Sequence, residues 1–263
     1  MNLKQFAERH APALAADEIR HNVLLAVLKL GLHDPSVPVS TWDLGKPGCC
    51  AIQQQGRGIL LGDVGEADTR DLARIVADQD IPSVMGAGET ARWFVEASRN
   101  LGRDFPNLLA QTIQVLDHAP SVQPCDGAVR LARQDDVDLV YNWLCAFVTE
   151  AVPHDPPPTR EEANRRIEQS LVYLWCLDDQ PVAMSCVGRV LERGVAIAPV
   201  YTPPEHRCRG YAGAATAAIV EEVLKRGYRY AYLFTDDSNP ASNRCYAKIG
   251  FRPYCKANMY RRD

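Results

Sequence analysis

Long apolar runs, paired cysteine motifs and a surplus of positive charge are all missing from this 263-residue chain. The most apolar stretch, VLLAVLKLGL from Val23 to Leu32, is broken by Lys29 and reaches about half the length of a membrane span. The opening MNLKQFAERHAPALAADEIRHN carries charge in every turn and does not read as a signal peptide. The expectation is a cytoplasmic protein with no membrane partner. Lys and Arg total 29 against 33 Asp and Glu, a formal charge of −4, which leaves no basic field for nucleic acid. The nine cysteines form no C-x-x-C and none stands at zinc-finger spacing from a histidine, so no metal is expected. Most should be buried, reduced thiols. The vicinal Cys49 and Cys50 are either a redox device or neighbours on a strand. The phosphate-loop pattern G-x-x-x-x-G-K-[ST] is absent, as are G-x-S-x-G and H-E-x-x-H.

What is present reads as mixed α/β in two domains. HAPSVQPCDG, residues 118–127, has the composition of an interdomain linker and separates 1–119 from 128–263. In the first part, Ile19, Val23, Val27 and Leu30 repeat at helical spacing. Strand-like CCAIQQ and GILLGDV follow, then alternating helix and strand patterns as far as TIQVLDH. In the second part a short strand, Ala128–Ala132, leads to a helix with Val137, Val140 and Leu144 on one face. VPHDPPP (152–158) must be a stiff loop. Thr159 and Glu162 have capping-box spacing ahead of a polar helix. Three strands come next, LVYLWCL, QPVAMSCV and GVAIAPVYT, with LDDQ as a hairpin turn between the first two.

The third of those strands ends at Pro203–Pro204 and opens into Arg207-Cys208-Arg209-Gly210-Tyr211-Ala212-Gly213, after which an alanine-rich helix runs to a stop at Gly227. The small residues let a ligand approach the backbone, the first-turn N–H groups point outward, and the helix dipole favours negative charge there. Arg207 and Arg209 add charge-assisted contacts. These are the physical requirements of a pyrophosphate cradle. Farther on, TDDSNPASNRCYAKIGF (235–251) places Pro240 at a helix start, and Asn239, Asn243 and Tyr246 at i, i+4 and i+7.

Arg207-x-x-Gly210-x-Ala212 is similar to the [Q/R]-x-x-G-x-[G/A] signature of the GCN5-related N-acetyltransferases, and the 239–251 segment resembles that family's N-x-x-x-x-x-x-Y-x-x-x-G-F helix. Arg130-x-Ala132 with Asp136 resembles its opening R-x-A-x-x-x-D. The resemblance covers about 128–263 and implies the family's mixed-sheet acyltransferase fold. It implies acetyl-CoA as cosubstrate, held along Val200–Tyr201–Thr202, by the 207–213 turn and by Asn239 and Asn243. It further implies Tyr246 as the acid that protonates the CoA thiolate, with direct transfer to a small-molecule or peptide amine. A tyrosine packed between helix and sheet would satisfy the same spacing.

The family's strand glutamate is missing from VAIAPV, so the general base falls to Glu150, to His154 or to water. Loop 151–158 would shape the acceptor site. The first part is of the right size for a second, degenerate copy of the fold. Two other readings stay open. One is an acyl-CoA sensor without catalysis. The other is dinucleotide binding at Gly86-x-Gly88-x-x-Ala91, with Asp104 as the ribose ligand. Either a monomer or a homodimer is compatible with the chain.

Overall fold

The first element lies in the charged opening that looked featureless. In the computed structural model, which describes residues 1–122 and 124–262, Asn2 Oδ1 accepts from the Gln5 N–H, and Gln5 Oε1 accepts from the Asn2 N–H. This capping box starts α1 (Leu3–Ala16), which buries Phe6, His10 and Leu14 at four-residue spacing. The chain continues through α2 (Asn22–His33), β1 (Val39–Asp43), β2 (Cys50–Gln54), β3 (Ile59–Leu61), α3 (Glu66–Ile75), β4 (Ser83–Ala87), α4 (Thr90–Arg99), β5 (Asn107–Leu109) and β6 (Gln111–Leu116). Then follow β7 (Ala128–Leu131), α5 (Val137–Ala151), α6 (Arg160–Glu168), β8 (Val172–Leu177), β9 (Gln180–Val190) and β10 (Gly194–Tyr201). The last elements are α7 (Tyr211–Lys225), β11 (Tyr230–Asp236), α8 (Pro240–Ile249) and β12 (Arg252–Arg261).

The residues form two units. One holds Met1–Ile113, Phe234–Asn239 and Pro253–Asp263, and the other Gln114–Leu233 and Pro240–Arg252. In the first, β1, β2 and β3 pair antiparallel in succession, and β3 pairs parallel with β4 at Ile59↔Val84 and Leu60↔Met85. β12 then adds antiparallel to β4, from Ala257↔Ala87 to Arg261↔Ser83. The period-2 alternation of a strand sorts side chains to two faces. Cys49 and Ala51 join Leu72 and Phe94 on one side, while Cys50 and Ile52 join Phe6, Leu14 and Leu24 on the other. The two vicinal thiols therefore face opposite sides of the sheet, and burial pushes each up to about 12. Cys49 immediately precedes β2 and Cys50 opens it, both as buried free thiols.

In the second unit β7, β8, β9 and β10 are antiparallel neighbours, and β10 is parallel to β11. The β8–β9 turn has positive φ at both Asp178 (45°) and Asp179 (64°), the twist a two-residue hairpin favours. Along β8, Val172, Leu174 and Cys176 pack with Val140, Leu144 and Ile167 of α5 and α6. Tyr173 faces the other side, among Ile219 and Val223 of α7 and Tyr246 and Ile249 of α8. Arg130 holds Asp136 through two bonds, 2.6 and 2.9 Å, tying β7 to the start of α5 and keeping the Asp136 carboxyl below its usual range. The R-x-A-x-x-x-D segment is thus a structural brace.

Each unit contains the same run of elements. α1-α2-β1-β2-β3-α3-β4-α4 and α5-α6-β8-β9-β10-α7-β11-α8 have the same order, with a parallel third-to-fourth strand pair in each. The single cut at 118–127 does not describe them. Segment 118–127 is anchored within the second unit: Ser121 N–H donates to Ile249 O at 2.8 Å, and Trp175 Nε1–H to Asp126 O at 2.9 Å. Gln123 lies outside the described residues. The Pro253–Asp263 segment, read as the end of the second domain, instead belongs to the first unit.

The arrangement has two measurable consequences. A fragment of residues 1–119 lacks β12 and leaves one edge of β4 open, so it should aggregate or stay protease-sensitive. Appending 252–263 through a flexible linker should restore a cooperative unfolding transition, followed by circular dichroism. Separately, His10 and His21 are buried, and burial lowers both below their ordinary 6.5 despite nearby Asp43 and Asp63. The unfolded chain therefore binds protons below about 6.5 that the folded unit refuses, and stability is lost as pH falls through that value. Urea midpoints at pH 7.5 and 5.5 should show the drop, and His10→Gln with His21→Gln should flatten it.

Candidate functional site

The site begins where two parallel strands part. β10 pairs with β11 only from Gly194↔Tyr230 to Ala196↔Tyr232, and its register with β9 shifts between Val195 and Ile197 and again between Ile197 and Val200. From Ile197 to Tyr201, β10 runs along β9 without β11 among the described residues. Ligands of open α/β sheets bind outside the carboxyl ends of parallel strands. β10 reaches that end at Tyr201, and the chain turns through Pro203 and a short 3-10 segment, Pro204–His206, before Arg207.

Two left-handed residues shape the turn into the next helix. Cys208 has φ 62° and Gly210 φ 87°, both in the exposed stretch from Arg207 to Gly210. A Cβ on Gly210 would meet only the Cys125 Cβ, 3.9 Å away, so glycine is required there by conformation and not by crowding. α7 then starts at Tyr211 with no side-chain cap and no acidic residue in its first turn. Its leading N–H groups and its positive dipole end are available to an anion. Tyr211 secures the start of the helix among Val182 and Ala183.

The residues singled out from sequence do not all take the places expected of them. The Arg207 guanidinium turns back from the helix start. Its Nε donates to Thr202 O at 2.9 Å and its Nη2 to Glu150 Oε2 at 2.6 Å. Glu150 Oε1 in turn accepts from the Tyr201 hydroxyl at 3.2 Å. The Arg207 side chain is thus held in an ion pair, and both carboxylate oxygens of Glu150 are hydrogen-bonded. Arg209 is exposed beside the turn. Gly213 faces α8, where a Cβ would lie 3.5 Å from Cys245 Sγ, an ordinary contact distance. Ala212 and Val200 are half-buried.

On α8, Asn243 Oδ1 accepts from Gln114 Nε2 at 3.2 Å. Asn239 precedes the helix, exposed, with its N–H donating to Asp236 O at 3.0 Å, and it is counted with the first unit. Tyr246 is buried in the core beside Phe251, ring centroids 5.8 Å apart at 71°. Burial drives its hydroxyl well above the ordinary tyrosine value, with a hydrogen bond to Ser242 pulling the other way. Ser242, four residues before Tyr246, went unnoticed in the sequence although i, i+4 spacing could have found it. His154 is half-buried in the loop after α5. Missed too were two buried polar atoms without a partner among the described residues, Thr202 Oγ1 and His206 Nδ1, both just ahead of the turn. Orphaned atoms of this kind beside a bare helix start fit a polar ligand.

The Gly86-x-Gly88 turn has local explanations. A Cβ on Gly86 would meet Thr90 Oγ1 at 2.1 Å, and Gly88 has φ 61°. Asp104 is paired with Arg99 at 3.0 Å and caps the Phe105 N–H. Among the described residues no group of three His, Cys, Asp or Glu could hold a metal ion, and no helix is long and apolar enough to cross a membrane.

Residues 137–251 match the family described as "Acetyltransferase (GNAT) family". Among solved structures, a Drosophila protein aligns over 99% of this chain and 97% of its own, with TM-score 0.67 and 12% identity. A GNAT-family acetyltransferase from Colwellia psychrerythraea aligns over 86% of each chain, with TM-score 0.60 and 9% identity. A tandem GNAT protein from the clavulanic acid biosynthesis pathway covers 86% of this chain and 83% of its own, at TM-score 0.56 and 14% identity. At such identities the likeness is one of fold. No curated protein matches the sequence. The parted strands and the bare helix start both lie within the stretch from α5 to Phe251 that matches the acetyltransferase (GNAT) family.

Proposed function

We propose that the second unit binds acetyl-CoA at the β10–α7 turn and transfers its acetyl group directly to a primary amine of a small molecule, amino acid or peptide. The uncapped start of α7, behind left-handed Cys208 and Gly210, is the observation that carries this reading. Its N–H groups and Arg209 would hold the pyrophosphate. The edge of β10 at Val200–Thr202, left unpaired by β11, would take the pantetheine arm, with Asn243 farther along. When bound, acetyl-CoA supplies a thioester. Tyr246, kept protonated by burial, would hold the proton destined for the thiolate. With Glu150 engaged, His154 or a water is left to accept the amine proton. The acceptor would enter beside loop 152–158, in a cytoplasmic monomer or homodimer.

The repeat adds a stoichiometry. In the first unit the corresponding turn, between β3 and α3, is closed by its own acid: Gly65 N–H donates to Asp68 Oδ2 at 2.9 Å, and Glu66 also lies in the first turn. A helix start so filled repels phosphate. Calorimetry should therefore find one acetyl-CoA per chain, weakened in Arg209→Ala, and no NADH binding. Two equivalents would defeat the assignment, and NADH binding alone would return attention to Gly86–Gly88.

A second reading, an acyl-CoA binder without catalysis, draws on the depth at which Tyr246 is buried among Ile219, Ile249 and Phe251. Amine acetylation by Tyr246→Phe separates the two. The enzyme reading expects turnover lower by about two orders of magnitude at nearly unchanged acetyl-CoA affinity. It also expects no loss of rate from tyrosine ionisation below the ordinary value of 10.0. Wild-type binding without turnover on any amine would favour the binder.

A further inference from the structure

We propose that Glu150 is a positioning residue: it anchors Arg207 and so holds the β10–α7 turn in the form that receives phosphate. The inference rests on the acetyl-CoA reading of that turn.

The turn needs holding. Left-handed backbone is disfavoured for any residue with a Cβ, and Cys208 adopts it at φ 62° in an exposed stretch. Downstream the chain is fixed by buried Tyr211. Upstream the hold is the Arg207 side chain, which donates to Thr202 O and to Glu150 and lies 5.8 Å from the Tyr201 ring centre. Tyr201 itself packs near Trp143 of α5, ring centroids 6.2 Å apart. Helix end, strand end and turn are thereby closed into one set of contacts.

The position of Glu150 points the same way. It sits in the last turn of α5, where a carboxylate opposes the helix dipole. Helix stability does not explain a glutamate there, whereas the partner guanidinium at 2.6 Å does. Both carboxylate oxygens accept hydrogen bonds, one from Arg207 and one from the Tyr201 hydroxyl. Because α5 leads straight into loop 152–158, the loop and the cofactor turn share this anchor.

The sign of one binding change separates the explanations. Removing a carboxylate near an anionic ligand should, on charge alone, tighten binding. The anchor expects the reverse: Glu150→Gln should weaken acetyl-CoA binding roughly three- to tenfold in calorimetry, raising KM more than it lowers kcat. Arg207→Gln should weaken it similarly, and the double variant should be no worse than Arg207→Gln alone. Glu205→Gln, which removes an exposed carboxylate two residues before Arg207, should not weaken it. Amide exchange at residues 208–211, measured without ligand, should speed up in Glu150→Gln and not in Glu205→Gln. Unchanged exchange, or binding as tight as wild type, overturns the anchor. So does an altered kcat–pH profile at unchanged affinity, which would make Glu150 the base. A wild type that fails to bind acetyl-CoA overturns the cofactor reading instead, and the exchange result still decides the anchor.

Discussion

An α-helix that begins in the open with no side chain on its first N–H groups has to find its hydrogen-bonding partners elsewhere. α7 is in that state, and much of the second unit can be understood as preparation for it. The early parting of β10 from β11 opens a path to the helix start. Tyr211 fixes the helix on the sheet, small residues at Ala214, Ala215 and Ala217 let it lie close, and the buried Ser185–Thr216 pair at 3.3 Å joins it to β9. On the proposed reading, affinity for an anion would then depend on how rigidly the exposed turn is kept, since ordering it on binding would cost free energy.

Comparison of the two units shows how little chemistry is needed to separate a receptive helix start from a closed one. Element order and strand pairing are the same in both. What differs is the connection. Four residues, Gly62–Gly65, precede α3, which carries Glu66 and Asp68 in its first turn, whereas a longer Pro- and Arg-containing segment precedes α7. One carboxylate on one N–H does in the first unit what an external anion would have to do in the second. Fold alone says nothing of ligand, and the residues at the turn decide it.

Local spacing made the second unit legible. Arg207-x-x-Gly210-x-Ala212, the capping pair Thr159–Glu162 (bonded at 3.1 Å) and the Pro240 and Gly250 bounds of α8 all lie within a few residues of what they determine. Features set by distant partners were not legible. The Glu150 that binds Arg207 is 57 positions away, so nothing local to the turn revealed the pair. α1 was hidden by its charges although its cap was readable, and the destination of β12 depends on pairing with β4, far away in sequence. The kinship of the units is carried by element order, which leaves no shared motif to read.

The return of β12 to β4 has a consequence for biosynthesis. The first unit to leave the ribosome is completed only when a segment made much later arrives. At ~5–20 residues per second, the edge of β4 waits on the order of ten seconds or more for its neighbour. During that time the nascent chain carries a strand with one open edge and Val84 and Met85 in it, an invitation to the same strand on an adjacent nascent chain. β4 is only five residues long and includes Gly86, which limits the affinity of such an encounter. Translation rate and chaperone access, more than the stability of the finished protein, would then set the yield of correctly joined molecules.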